Sequence, residues 1–138
     1  MQSRSANILT VEDSEDLIFL WRSLFAREGI QAQFTRSGHE ALSVVDDGYA
    51  PDIVMTDFYL PDMTGGDLIL ELRKRHPKVG ALVVTGNTSA EFAKHLPDGT
   101  EVLIKPAKFE KVKQAFERLM PLDSGIVRQE QSSKFYGW

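Results

Sequence analysis

Cysteine is missing altogether from the 138 residues, so neither a disulfide nor a thiolate metal site can form. Long apolar runs are missing too. Nothing approaches the roughly 18 residues that a membrane span needs, and the first residues hold no signal-peptide apolar stretch. Positive charge is not in surplus: 16 Lys and Arg against 20 Asp and Glu leave a formal charge of −4. With no dense basic cluster either, a nucleic-acid surface built on bulk electrostatics is not expected. The histidines His39, His76 and His95 show no ligand spacing to one another, so a zinc site is unsupported and each is expected at the surface. The Gly65-Gly66 pair lacks the Gly-Lys-Ser/Thr ending of a phosphate-cradling loop and reads as the loop that leads into a helix. The chain is 42% hydrophobic and long enough to bury a real core, and the expectation is a cytoplasmic domain with no membrane and no nucleic acid among its partners.

What is present is a set of short apolar runs, each ending in a polar residue. Glu12 and Asp13 follow Ile8-Leu9-Thr10-Val11, and Asp57 follows Ile53-Val54-Met55-Thr56. Thr85 follows Leu82-Val83-Val84, and Lys105 follows Val102-Leu103-Ile104. Helix-like segments alternate with these runs, the signature of a parallel sheet covered on both faces. Ligands bind outside the carboxyl ends of such strands, so the polar residues would meet at one edge. Three carboxylates, a hydroxyl and an ammonium gathered there make a metal-assisted phosphate site. Each alone has a plainer reading: a loop cap for Asp57, first-turn acids for Glu12 and Asp13, a strand-end hydroxyl for Thr85, a solvent-facing lysine for Lys105. Their joint arrival points to chemistry.

The connecting segments carry their own signals. Ser14 is an N-cap followed by Glu15 and Asp16, and Leu17, Leu20, Trp21, Leu24 and Phe25 fall at helical spacing up to a stop at Gly29. Gln31 to Phe34 is a weak strand, and Ser37-Gly38 opens a helix bearing Ala41, Leu42 and Val45. Phe58 to Gly66 is a loop over the site, and Leu68, Ile69 and Leu72 face the core from the next helix, which stops at His76-Pro77. Ser89 to Leu96 is a short, poor helix ended by Pro97-Asp98-Gly99; the last helix carries Phe109, Val112, Phe116, Leu119 and Met120. Residues 1–121 read as the domain and 122–138 as a polar tail. The aromatics Phe135, Tyr136 and Trp138 leave two readings open: they pack back on a groove or partner, or stand in solvent.

This order closely resembles the receiver domain of two-component response regulators, over about residues 7–120. The motifs are Ile8 to Asp13, the run Met55-Thr56-Asp57-Phe58-Tyr59-Leu60-Pro61-Asp62-Met63-Thr64-Gly65-Gly66, Val84-Thr85-Gly86, Leu103-Ile104-Lys105-Pro106, and Gly38-His39-Glu40-Ala41-Leu42. The resemblance implies a flavodoxin-like (βα)5 fold with a five-stranded parallel sheet in the order 2-1-3-4-5. It implies Asp57 as phosphoacceptor, with Glu12, Asp13, Asp57 and the Tyr59 backbone carbonyl holding Mg²⁺. Thr85 and Lys105 then bind phosphoryl oxygens, and the Lys105–Pro106 bond is cis. The partners implied are a histidine kinase or histidine phosphotransfer protein, and a downstream protein target.

Physical chemistry asks for the same groups. Mg²⁺ prefers a few carboxylates plus waters and phosphate oxygens, with the longer Glu12 acting through a water. Clustered carboxylates repel, and a cation removes that repulsion, leaving Asp57 ionised as a nucleophile must be. Phosphoryl transfer then needs in-line positioning and charge neutralisation. An aspartyl phosphate adds about −1.5 to −2 charges, drawing Thr85 and Lys105 toward it and shifting loop populations.

Three departures from the resemblance stand out. Val102 occupies the position, three before Lys105, where an aromatic ring usually couples to the Thr; valine cannot swing, so activation is expected through loop and helix order around residues 85–106. The Thr85–Lys105 segment is short and expected to be the output surface. Ala107 stands where Phe is common, so Phe109 takes its packing role. Tyr59 and Asn87 lie where they could gate water and tune phosphoryl lifetime. Only about 18 residues follow the fold, too few for a DNA-binding output domain, so the expected output is protein contact or phosphate relay by a stand-alone module that is not an enzyme. The alternatives are a constitutive receiver-like binding module, favoured by Val102, and a Mg²⁺-dependent phosphohydrolase, opposed by Tyr59 where an acid–base partner would stand.

Overall fold

The computed structural model describes residues 6–86 and 93–120. In chain order its elements are β1 (Asn7–Val11), α1 (Glu15–Arg27), β2 (Gln31–Thr35), α2 (Gly38–Asp46), β3 (Ile53–Thr56), α3 (Gly65–Arg75), β4 (Gly80–Thr85), β5 (Glu101–Ile104) and α4 (Phe109–Leu119). All strand pairs are parallel, and the sheet order is β2-β1-β3-β4-β5. This is the expected flavodoxin-like arrangement. The short helix expected at 89–96 begins outside the described residues, as do Asn87 and the tail 122–138.

Burial follows from the topology. Strands β3 and β4 are buried at every position, because a parallel strand with helices on both faces has no wet side. Edge strand β2 alternates exposed and half-buried residues from Gln31 to Phe34 and buries only Thr35, which explains its weak signal in the sequence. Alternation sends Leu9, Val11, Val54, Ala81 and Val83 to one face, against Ala41 and Val45 of α2 and Leu68, Ile69 and Leu72 of α3. Ile8, Ile53, Met55, Leu82 and Val84 go to the other, against Trp21 and Phe25 of α1 and Val112, Ala115 and Phe116 of α4.

Phe25 is the hub of that second face. Its ring lies 6.0 Å from Trp21, 5.8 Å from Phe34, 6.0 Å from Phe109 and 5.9 Å from Phe116, centroid to centroid. Burying such a ring is worth about 1.5–3 kcal/mol. Phe109 and Ala107 both pack against this cluster, Phe109 directly on the Phe25 ring. On α1 the inward stripe is Ile18, Trp21 and Phe25, flanked by half-buried Leu17 and Leu24. Leu20, expected in the stripe, is 46% exposed, because it stands about 100° around the helix from Trp21.

Each of the first three helices begins on a side-chain oxygen. Ser14 Oγ accepts from the Leu17 amide at 3.3 Å, Ser37 Oγ from Glu40 at 3.1 Å, and Thr64 Oγ1 from Asp67 at 3.1 Å; each such cap is worth about 1 kcal/mol. These caps sit at the carboxyl edge of the sheet and fix where the loops leave it. The register completes the frame: Val11 pairs with Thr56, Thr56 with Val83, and Thr85 with Ile104.

Candidate functional site

Glu12 and Asp57 are the first residues beyond the paired strand ends Val11 and Thr56, so the register alone sets them side by side. Lys105 follows β5, and its backbone amide donates to the Thr85 carbonyl at 2.8 Å. From there its side chain reaches back across the edge. Lys105 Nζ donates to Asp57 Oδ2 at 2.7 Å and to Glu12 Oε1 at 3.2 Å. The Glu12 side chain is 6% exposed, Asp57 14% and Lys105 25%, so this three-charge cluster is screened by water much less than a surface pair would be.

The electrostatics follow from who shares with whom. Burial pushes the Glu12 carboxyl above its ordinary value, against the Ser14 amide that donates to Oε2 at 3.1 Å and the nearby ammonium. Burial works the other way on Lys105, but the Asp57 hydrogen bond and the charges of Glu12 and Asp57 outweigh it and hold the ammonium above its usual value. One ammonium thus serves two carboxylates.

Asp57 is further fixed by its own loop. Its Oδ1 accepts from the Tyr59 amide at 3.3 Å, and its carbonyl accepts from Thr56 Oγ1 at 2.8 Å. The loop closes on itself: Gly65 N donates to the Phe58 carbonyl at 2.6 Å, Leu60 N to the Met63 carbonyl at 3.2 Å, and Tyr59 bridges Thr64. Gly65 is where side-chain absence matters. A Cβ there would lie 2.6 Å from the Asp57 carbonyl oxygen and 3.1 Å from Phe58 Cα. The sequence reading carries the loop through Gly66; in the structure Gly65 and Gly66 are already the first two residues of α3, and both are buried.

Of the residues singled out in the sequence, the structure brings together Glu12, Asp57 and Lys105, with Thr85 buried at the end of β4 beside them. Asp13 stands exposed on the β1–α1 turn, its carbonyl accepting from Arg36 Nη2 at 3.2 Å. Among the described residues no three carboxylate or imidazole groups converge on one point. The donors present, Glu12, Asp13 and Asp57, are all oxygen, which fits a hard divalent cation and not a thiophilic metal. Tyr59 is 57% exposed, its ring edge-on to Phe58 at 4.9 Å. Val102 is half-buried against the α2–α3 core together with Leu96, and the Lys105–Pro106 bond is cis.

Two contributors escaped the sequence. Asp62 accepts from the Gly38 and His39 amides at 2.9 and 2.8 Å, and these bonds hold its carboxyl below the ordinary range although partial burial works against them. Arg36 joins Asp13 to Glu15 through its guanidinium. Neither has a spacing signature, because their partners lie more than 20 residues away.

The profile of the response regulator receiver domain matches residues 8–117. This chain belongs to that family. The receiver is 37% identical over 110 residues to the sensor kinase CckA of Brucella abortus, which covers 78% of this chain and 11% of that protein. It is 35% identical over 104 residues to the aerobic respiration control sensor protein ArcB of Escherichia coli, covering 72% of this chain and 13% of that one. Against the luminescence regulatory protein LuxO of Vibrio campbellii it is 30% identical over 107 residues, or 75% of this chain and 23% of LuxO. The receiver thus spans between 11% and 23% of these curated relatives. Among solved structures, a response regulator receiver protein from Sinorhizobium medicae superposes with a TM-score of 0.77 at 22% identity, over 84% of this chain and 94% of the other. The chemotaxis response regulator CheY4 of Vibrio cholerae gives 0.76 at 23%, over 85% of this chain and 100% of that one. At those identities the likeness is one of fold. The receiver is therefore a signalling domain of the phosphoacceptor kind found in two-component systems. Among the described residues no helix is long and apolar enough to cross a membrane.

Proposed function

We propose that Asp57 is the phosphoacceptor of this receiver, taking its phosphoryl group from a phosphohistidine on a histidine kinase or histidine phosphotransfer protein. The observation that carries this is the Lys105 ammonium at 2.7 Å from Asp57 Oδ2 and 3.2 Å from Glu12 Oε1. A half-buried carboxylate with an ammonium against one oxygen and a backbone amide on the other is held in place as a nucleophile must be. In the transfer an Asp57 oxygen forms the new P–O bond while the P–N bond to the donor imidazole breaks, and the imidazole keeps the electron pair. Glu12, Asp13, Asp57 and the Tyr59 carbonyl would hold Mg²⁺, which supplies positive charge to the phosphoryl oxygens when bound.

Lys105 keeps its place at the site and supplies a second positive charge, while the Thr85 hydroxyl donates to a phosphoryl oxygen. Transfer adds negative charge where one carboxylate stood, so the loops around 85–106 repack toward it and alter the surface offered to a protein target. Val102, wedged against the core, has no ring to rotate, so that repacking runs through loop order. Turnover is limited to the domain's own phosphorylation and dephosphorylation.

The test is intact-mass analysis of the protein after incubation with Mg²⁺ and acetyl phosphate, beside Asp57→Asn. A single phosphoryl gain, lost in the variant, is the expected result. No gain in folded wild-type protein, either from acetyl phosphate or from a phosphorylated phosphotransfer partner, would favour the constitutive module instead.

A further inference from the structure

The acceptor loop, residues 58–64, is tied to the rest of the protein at an unexpected place. Its inner end is anchored by the buried Phe58 ring and by Gly65 N on the Phe58 carbonyl. Its outer end rests on the head of α2. Both oxygens of Asp62 are engaged there, Oδ1 by the Gly38 amide at 2.9 Å and Oδ2 by the His39 amide at 2.8 Å, with His39 Nδ1 also on Oδ2 at 2.5 Å. Met63 covers Gly38 so closely that a Cβ at that position would collide with its thioether. The same head of α2 also holds the other acidic loop. Arg36, just before it, donates from its backbone to Glu40 Oε1 at 2.7 Å and from its guanidinium to the Asp13 carbonyl and Glu15.

Arg36, Gly38 and His39 therefore lace together the loop that carries Asp57 and the loop that carries Glu12 and Asp13. We propose that Asp62 is a positioning residue for phosphorylation: by clamping the acceptor loop to the head of α2, it fixes the Tyr59 amide that orients Asp57 Oδ1. Asp62 touches neither donor nor phosphoryl group in this role. It acts through the loop, and the chain of contacts is Asp62 to α2 on one side and Tyr59 to Asp57 on the other. This inference rests on Asp57 being the acceptor. A misplacement of about 1 Å at a reacting atom can cost up to about a hundredfold in rate, so losing one of the loop's two anchors is expected to cost about tenfold.

The experiment follows phosphorylation of the full chain by acetyl phosphate at saturating Mg²⁺ in the wild type, Asp62→Ala, Asp62→Asn and Ser37→Ala. Asp62→Ala is expected to slow the maximal rate about tenfold while leaving the half-saturating acetyl phosphate concentration unchanged, because the nucleophile and not the donor is displaced. Asp62→Asn, which keeps one amide acceptor, is expected to fall between. Ser37→Ala removes the ordinary cap of the same helix, so it reports general weakening of α2 without touching the clamp. It should stay within twofold of the wild type. A wild-type rate in Asp62→Ala, or a Ser37→Ala loss as large as that of Asp62→Ala, would overturn the proposal. If Asp62→Ala does not fold, the comparison of Asp62→Asn with Ser37→Ala decides by the same criteria. Failure of the wild type itself to gain a phosphoryl group strikes the acceptor reading beneath, a separate result.

Discussion

Replacing Gly65 by alanine tests how tightly the acceptor loop is packed on α3. The new methyl would lie 2.6 Å from the Asp57 carbonyl oxygen, 3.1 Å from Phe58 Cα and 3.3 Å from Thr56 Cγ2. Ordinary heavy-atom contacts need about 3.5 Å, so the backbone must withdraw by nearly 1 Å. It has little freedom to do so: the Asp57 carbonyl is held by the Thr56 hydroxyl at 2.8 Å, and the Phe58 carbonyl by Gly65 itself at 2.6 Å. Overpacking costs about 1–3 kcal/mol, and against backbone held this firmly the upper part of that range, about 2–3 kcal/mol, applies. Alanine returns roughly 0.5–1 kcal/mol through helix preference and a less flexible unfolded chain. The expected net loss is about 1–2 kcal/mol, or roughly 3–6 °C in Tm for a domain of this size. Urea unfolding of Gly65→Ala beside Gly86→Ala measures it. A methyl at Gly86 would meet nothing within 4 Å, so that control should be unchanged or slightly more stable. A Gly65→Ala protein as stable as the wild type would refute the argument and show that the loop yields.

Two further outcomes are expected. Lys105→Met leaves Glu12 and Asp57 facing each other without their shared cation, at a cost of about 1–3 kcal/mol given partial burial; added Mg²⁺ should raise its Tm more than that of the wild type, since the ammonium no longer competes for those oxygens, and an equal rise in both would count against the shared site. Tyr49 donates to the Ile8 carbonyl at 2.8 Å, and burial, with Asp52 nearby, pushes its phenol up to about 12. Its folded pKa exceeds the unfolded value of about 10, so its contribution is complete below pH 10 and is lost as pH rises toward 12; Tyr49→Phe should be about 1 kcal/mol less stable at pH 7, with the gap narrowing above pH 10 in paired urea titrations, and a pH-independent gap would contradict the burial argument.

The central strands were legible because their burial is total: Ile53 to Thr56 and Ala81 to Val84 read as unbroken apolar runs, and the structure buries every one of them. Each member of the charged triad was legible because it stands directly after a strand-like apolar run, Glu12 after β1, Asp57 after β3 and Lys105 after β5, although β5 itself is only half-buried. Leu20 was misplaced because several apolar residues on α1 compete for one stripe, and only packing decides which flank turns inward. Asp62 and Arg36 were illegible because their work is done across 24 and 23 residues of sequence, where no periodicity applies. Gly65 and Gly66 did leave a signal. Two glycines in a first helical turn weaken the helix, and their presence marks a close backbone approach.

The sheet edge is stepped, and the step makes Lys105 a ruler. By register Asp57 stands level with Val84, whereas Lys105 lies two residues farther along the strand direction. At about 3.3 Å per residue, its backbone begins nearly 7 Å beyond the carboxylates that its ammonium touches. Only a long, unbranched cation spans that drop, so length at this position matters as much as charge. The distance is set by β5, an edge strand without one fully buried residue. A slip of a single residue there would change the reach by half and part the ammonium from both acids, so a half-buried edge strand calibrates the sheet's most consequential ion pair.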